Sequence, residues 1–177
     1  MSCAAYTLNG LPRDCEQSMG GIAEVYIANY EDVAGVEVSQ AEGAEGKIST
    51  IEMAEGKKFY KYVLRKGAGS FTSTATIDNA NGVNFVTTVL TFNMLRMNTQ
   101  KRIEMTALSV NELAVIVKDA NGIYWYLGKD NAVTATNGTG QTGQQKTDGN
   151  MYTIELSDES LTFPYEVDGS IVAGLIA

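Results

Sequence analysis

The chain has 177 residues, 44% hydrophobic and 19% charged, the balance of one folded domain with a sizeable core. Its 13 basic and 21 acidic residues leave a net charge of −8, which argues against a grip on nucleic-acid phosphates, since such binding runs on Lys and Arg. It has no histidine and only two cysteines, Cys3 and Cys15, so the usual general base and the Ser-His and Cys-His pairs are absent and the two thiols make a poor zinc site; carboxylate or lysine chemistry stays open, but no catalysis, metal or cofactor is expected.

The opening "MSCAAYTLNGLPRDCEQ" lacks a basic region followed by a long apolar one, so no secretory signal is expected, and no apolar run approaches the ~20 residues that cross a bilayer. The expected folding compartment is a reducing cytoplasm, with Cys3 and Cys15 as free thiols and a local disulfide as the alternative. Residues 1–20 read as a flexible N-terminal arm. "GGIAEVYIANYEDV" (Gly20–Val33) then carries Ile22, Val25, Tyr26, Ile27 and Tyr30 without a breaker and predicts a strand. Residues 34–47, small, acidic and glycine-punctuated, predict a surface loop. Residues 48–67 predict two strands broken at Glu55-Gly56.

"SFTSTATIDNANGVNFVTTVLTFNML" (70–95) predicts a long hairpin, because Asn81-Gly82 suits a two-residue type I′ turn in which both central residues need φ > 0. That turn pairs Ala80 with Val83. It then sets Ile77 opposite Val86, Ala75 opposite Thr88, Ser73 opposite Leu90 and Phe71 opposite Phe92 on a mostly apolar face. The other face receives Thr72–Thr91, Thr74–Val89, Thr76–Thr87 and Asp78–Phe85, and is rich in threonine. A slip of one residue would scramble this sorting.

Residues 98–110 carry Ile103, Ala107 and Val110 at helical spacing behind Asn98 or Thr99 as N-cap, and predict the only helix. "ELAVIVKDANGIYWYLG" (112–128) predicts a second hairpin on Asn121-Gly122, pairing Ile116 with Leu127, Val117 with Tyr126 and Lys118 with Trp125. Both of its faces are apolar, so it should be central or covered on both sides.

Residues 134–150, "TATNGTGQTGQQKTDGN", contain a formal G-x-G-x-x-G from Gly138 to Gly143. A dinucleotide fingerprint needs a helix opening at its last glycine, and here turn and strand follow instead; Gln144 and Gln145 also break the P-loop spacing. The segment is expected to be a flexible loop, with Asn137, Gly138, Gly140 and Gly143 as candidates for ordering between subunits. "NMYTIEL" (150–156) and "LTFPYEV" (161–167) alternate as strands, Pro164 marking an edge strand or a strand end. Residues 168–177 form an apolar tail, read either as a final strand on the chain's own core or as a partner-binding arm.

These elements add up to a mainly β domain over residues 1–177, an antiparallel β-sandwich or barrel with seven to nine strands and a single α-helix between two long hairpins. "GGIAEVYIANYEDV", the mid-chain helix, and "AVIVKDANGIYWYLG…TGQTGQQKTDGNMYTIEL" together resemble the tail tube (major tail) proteins of long-tailed bacteriophages, particularly the small single-domain type. The likeness covers most of the chain and rests on element order and on the strand–"D-x-N-G"–strand–loop–"D-G-N"–strand sequence.

The resemblance implies a structural virion protein, assembled in the host cytoplasm and located in the tail. Six subunits would close a ring, and rings would stack into a tube that other phage tail proteins join. DNA would pass through without specific binding, and no membrane is involved. Thr72, Thr74, Thr76, Thr87 and Thr91 become candidates for a face lining the bore or meeting a neighbour. The acidic charge suits a conduit that repels DNA, although solubility alone would also account for it. Two alternatives stand beside this reading: a tube protein of a contractile injection or secretion apparatus, and a small-ligand-binding β-barrel with Tyr124, Trp125 and Tyr126 near a pocket mouth.

Overall fold

A computed structural model describes residue 8, residues 10–41 and residues 45–177. The redox state of Cys3, most of the first nine residues and positions 42–44 of the acidic segment lie outside the described residues; Cys15 is exposed. Two sheets face each other. The larger has the order β2 (Val33–Val38), β3 (Ile48–Met53), β11 (Tyr165–Val167), β8 (Tyr124–Leu127), β7 (Leu113–Asp119), β1 (Ile22–Asn29) and β4 (Tyr60–Val63). The smaller has the order β5 (Gly69–Asp78), β6 (Val83–Leu95), β10 (Met151–Ser160) and β9 (Thr134–Gln141). This is the mainly β sandwich expected, with α1 (Thr99–Val110) between the two long hairpins.

Alternation along the strands divides the buried residues between two cores. Val25 and Ile27, Val115 and Val117 point between the sheets and meet Leu90, Phe92, Ile154 and Leu156 of the smaller one. Tyr26 and Ala28, Ala114 and Ile116, and Tyr126 point to the opposite face of the larger sheet, where they pack with Ile48, Ile51, Phe59 and Val172. Strand β7 is therefore covered on both faces, as its unbroken apolar run requires.

The structure has eleven strands among the described residues, two more than the upper expectation, and both extra strands fall in predicted loops. Strand β2 forms where Val33, Val36 and Val38 alternate onto the second core within acidic, glycine-spaced sequence. Strand β9 occupies the first half of the expected 134–150 loop and pairs antiparallel with β10. The predicted single helix is also corrected, because the apolar tail forms a second, α2 (Gly169–Leu175). Asp168 caps it by accepting from the Ser170 amide at 2.9 Å, Val172 is buried, and Phe59 donates to the Leu175 carbonyl at 2.8 Å. The tail thus packs on its own core.

Both hairpin registers differ from those expected, and an aspartate causes each shift. In the first, Asp78 Oδ1 accepts from the amides of Ala80 and Asn81 at 3.0 and 3.2 Å, holding a four-residue loop. Asp78 pairs with Val83, and every partner moves by two residues, so the two faces are preserved. In the second, Asp119 Oδ1 accepts from Asn121 and Ile123 at 2.8 and 2.9 Å, and Gly122 takes φ +85°. The resulting three-residue loop pairs Val117 with Trp125, a shift of one residue that reverses the facing of β8. With apolar residues on both faces, composition offered nothing to oppose that shift.

Helix α1 has the expected boundaries, and Asn98 caps it by accepting from Lys101 at 2.8 Å. Its predicted inner face is wrong. Met105 and Leu108 are buried, whereas Ile103 is 55% and Val110 75% exposed.

Candidate functional site

The five threonines singled out by alternation share the outer face of the smaller sheet. Thr72 lies opposite Val89, Thr74 opposite Thr87, Thr76 opposite Phe85, and Thr91 opposite Ser70. Across β6, Thr87 meets Glu159 and Thr91 meets Glu155 of β10, and Thr136 of β9 donates to Glu155 Oε1 at 2.9 Å. Thr88, one residue out of phase, faces inward and hydrogen-bonds Ser73 at 2.7 Å. None of the four strands contains a Lys or an Arg. The outer face therefore presents hydroxyls, amides, a few apolar side chains and the carboxylates of Glu155 and Glu159, with nothing to neutralise a phosphate.

The glycine candidates are not brought together as a loop. Gly138 and Gly140 sit on the inner face of β9, opposite Ile154 and Tyr152. Gly138 lies beneath α1, where an added Cβ would come within 3.3 Å of Met105 Cε. Gly140 lies against the Tyr152 ring, where an added Cβ would come within 2.8 Å. Asn137 faces outward opposite Glu155, and Gly143 stands in the turn beyond the strand at φ +73°. These glycines permit close packing, not phosphate approach. Two amides of that turn are already used: Asp148 Oδ2 accepts from Gln144 and Gln145 at 2.8 and 2.7 Å. Those bonds, Gln145 first, hold the Asp148 carboxyl below its usual range, so the chain's own anion fills the place a phosphate would need.

Tyr124, Trp125 and Tyr126 do not converge on a pocket mouth. Tyr126 is 1% exposed within the second core, and burial pushes its hydroxyl well above the ordinary tyrosine range. Tyr124 packs against Tyr26 with ring centroids 6.2 Å apart. Trp125 Nε1 donates to Asp119 Oδ2 at 3.1 Å, tying the strand to its own turn.

An open groove of about 770 Å³ runs instead beside β4, the end of β6 and the start of α1, and includes Tyr60, Tyr62, Arg65, Arg96, Lys101 and Glu104. Tyr62 donates to Glu104 at 2.7 Å, and burial first, then Glu104, raises the Tyr62 hydroxyl's pKa. Lys101 Nζ donates to the Leu95 and Arg96 carbonyls. Arg96 takes φ +64°, the one non-glycine residue with positive φ among the described residues. Glu24, on the second face of β1, bonds Lys61 at 2.8 Å, lies 3.6 Å from Lys118 and accepts from the Tyr26 hydroxyl.

Sequence reasoning passed over this groove because its residues come from separated segments, 60–65, 93–104 and the terminal Ala177. Among the described residues no three His, Cys, Asp or Glu side chains gather as metal ligands, and no helix is long and apolar enough to cross a membrane. No protein-family model, curated protein or solved structure matches the chain.

Proposed function

We propose that this chain is a structural subunit of a phage tail tube, assembling as stacked rings around a channel for DNA. The observation that carries the reading is the smaller sheet without cations. A wall of hydroxyls and carboxylates releases no counterions from a duplex and so does not hold it, which is what a conduit requires. Strands β5 and β9 are the free edges of that sheet. Joining β9 of one copy to β5 of the next is a heterologous contact of the kind that closes a ring. Six four-stranded sheets at about 4.8 Å per strand give a circumference of roughly 115 Å and a backbone diameter of about 37 Å before tilt widens it. That bore passes a double helix. Ile77, Ile103, Val110, Leu161 and Phe163 remain exposed on the single subunit and supply apolar surface for contacts with neighbours or other tail proteins.

Negative-stain electron microscopy of the purified protein tests the reading. Rings or tubes about 80–100 Å across are expected from six subunits of this size. Dispersed monomers at high concentration and at every salt concentration would overturn it.

A further inference from the structure

The larger sheet also ends in two free edges, β4 and β2, and their charges are opposite. Five cations lie within residues 57–66, in and flanking β4, and three more within 96–102; together they are eight of the chain's 13, of which Lys57 pairs with Asp32 at 3.1 Å and Lys61 with Glu24 at 2.8 Å within the chain. Residues 31–55, which form the β2–β3 edge, hold seven of the 21 acidic residues and a single cation, Lys47. Glu31, Glu37, Glu45, Glu52 and Glu55 are all exposed there. None of these five glutamates, nor Arg65 or Arg96 in the groove, forms an ion pair among the described residues.

We propose that the β4 edge and its groove receive the acidic β2 edge of a second copy, extending the larger sheet from one copy to the next. The C-terminal segment closes the start of this edge, Phe59 bonding the Leu175 carbonyl at 2.8 Å and the Ala177 amide at 3.0 Å, but over Tyr60–Val63 strand β4 leaves one side of its backbone unpaired, with Tyr60 and Val63 62% and 72% exposed upon it. Lys61, Arg65 and Arg96 discourage indiscriminate pairing with such an edge but favour an acidic strand. The backbone of Arg96 supports a use for its side chain. A left-handed arginine is strained, and it is held there by its amide bond to the Asn150 carbonyl, 2.6 Å, and by the Met97 amide on Asn150 Oδ1, 2.8 Å. Glycine would take this conformation freely but would bring no charge to the groove. The contact is head-to-tail, so it propagates or closes a ring; its place in a ring rests on the tube reading, whereas the contact itself needs only two copies.

Sedimentation velocity and negative stain on the full chain, between about 0.1 and 1 M salt, test this, since the screening length falls from about 10 to about 3 Å over that range. Association is expected to weaken about tenfold or more at high salt. Arg65→Glu with Arg96→Glu, and separately Glu37→Lys with Glu52→Lys, should each lose self-association by a similar factor, and a mixture of the two variants should recover it. Arg96→Gly should melt at or above the parent temperature and still associate more weakly. Variants that assemble into rings as the parent does would overturn the contact and leave the tube reading intact. Short, salt-sensitive chains without rings, abolished by either pair of reversals, would support the contact and overturn the tube. A parent chain that is monomeric throughout overturns both.

Discussion

Replacing Gly140 by alanine distinguishes a packed strand from a mobile loop by the sign of the effect. In a loose segment the substitution removes freedom from the unfolded chain and stabilises by about 0.4–1 kcal/mol. In β9 the new Cβ would stand 2.8 Å from Tyr152 Cε1, 3.0 Å from Cδ1 and 3.3 Å from Met97 Cε. The Tyr152 ring leans on the core between the sheets, so it cannot swing freely aside. Overpacking of this kind costs about 1–3 kcal/mol, and alanine's advantage over glycine within a strand returns about 0.5–1. The net expectation is a loss of about 0–2.5 kcal/mol, centred near 1, or roughly 2–4 °C in Tm for each kcal/mol. Gly138→Ala is the control, because its nearest neighbour is the adaptable methyl of Met105 at 3.3 Å, and it should be nearly neutral. Urea unfolding of dilute protein in high salt reads the values, and Tyr152→Ala completes the cycle. In that background Gly140→Ala should lose the overpacking cost and keep alanine's advantage, giving a coupling of about 1–3 kcal/mol. A Gly140→Ala equally neutral or equally stabilising in both backgrounds would refute the packing of β9 against β10 and return the segment to a loop.

Asp119→Ala should cost about 2 kcal/mol in urea unfolding, because three donors converge on that carboxylate, whereas Asp119→Asn should keep most of the turn. Two carboxylates should give pH dependences of opposite sign. Lys61, followed by Tyr26, lowers the Glu24 pKa below 4.5, so its contribution is present above that pH and is lost as pH falls through the folded value; Glu24→Gln should remove that loss. Burial raises the Asp158 pKa above 3.8, against the lowering by Ser160 and the Gly128 amide, and Asp158 Oδ1 has no hydrogen-bond partner. Its cost is therefore absent below pH 3.8 and develops as pH rises through the folded value. Asp158→Asn should stabilise the protein near neutral pH and leave it unchanged in acid, as urea midpoints across that range would read; an equal effect at both ends would contradict the assignment.

Where side chains sorted by polarity, the sequence determined the structure. Period-two alternation placed Thr72, Thr74, Thr76, Thr87 and Thr91 on one face, and a two-residue shift in register left that face unchanged. The unbroken apolar run of β7 required cover on both sides, and Asn98 set the start of α1. Tertiary structure decided what alternation could not express. Two inner positions of β9, Gly138 and Gly140, are glycines, whose lack of a side chain hides a strand until Met105 and Tyr152 pack onto it. Helix α1 touches its neighbours along a narrow line, so Met105 and Leu108 displaced the equally apolar Ile103 and Val110. The opposed charges of β4 and β2 emerged only with the strand order, which puts these two strands at opposite ends of the seven-stranded sheet. Local periodicity records whether a residue is buried, but which element covers it depends on contacts between distant segments, and that dependence is not written along the chain.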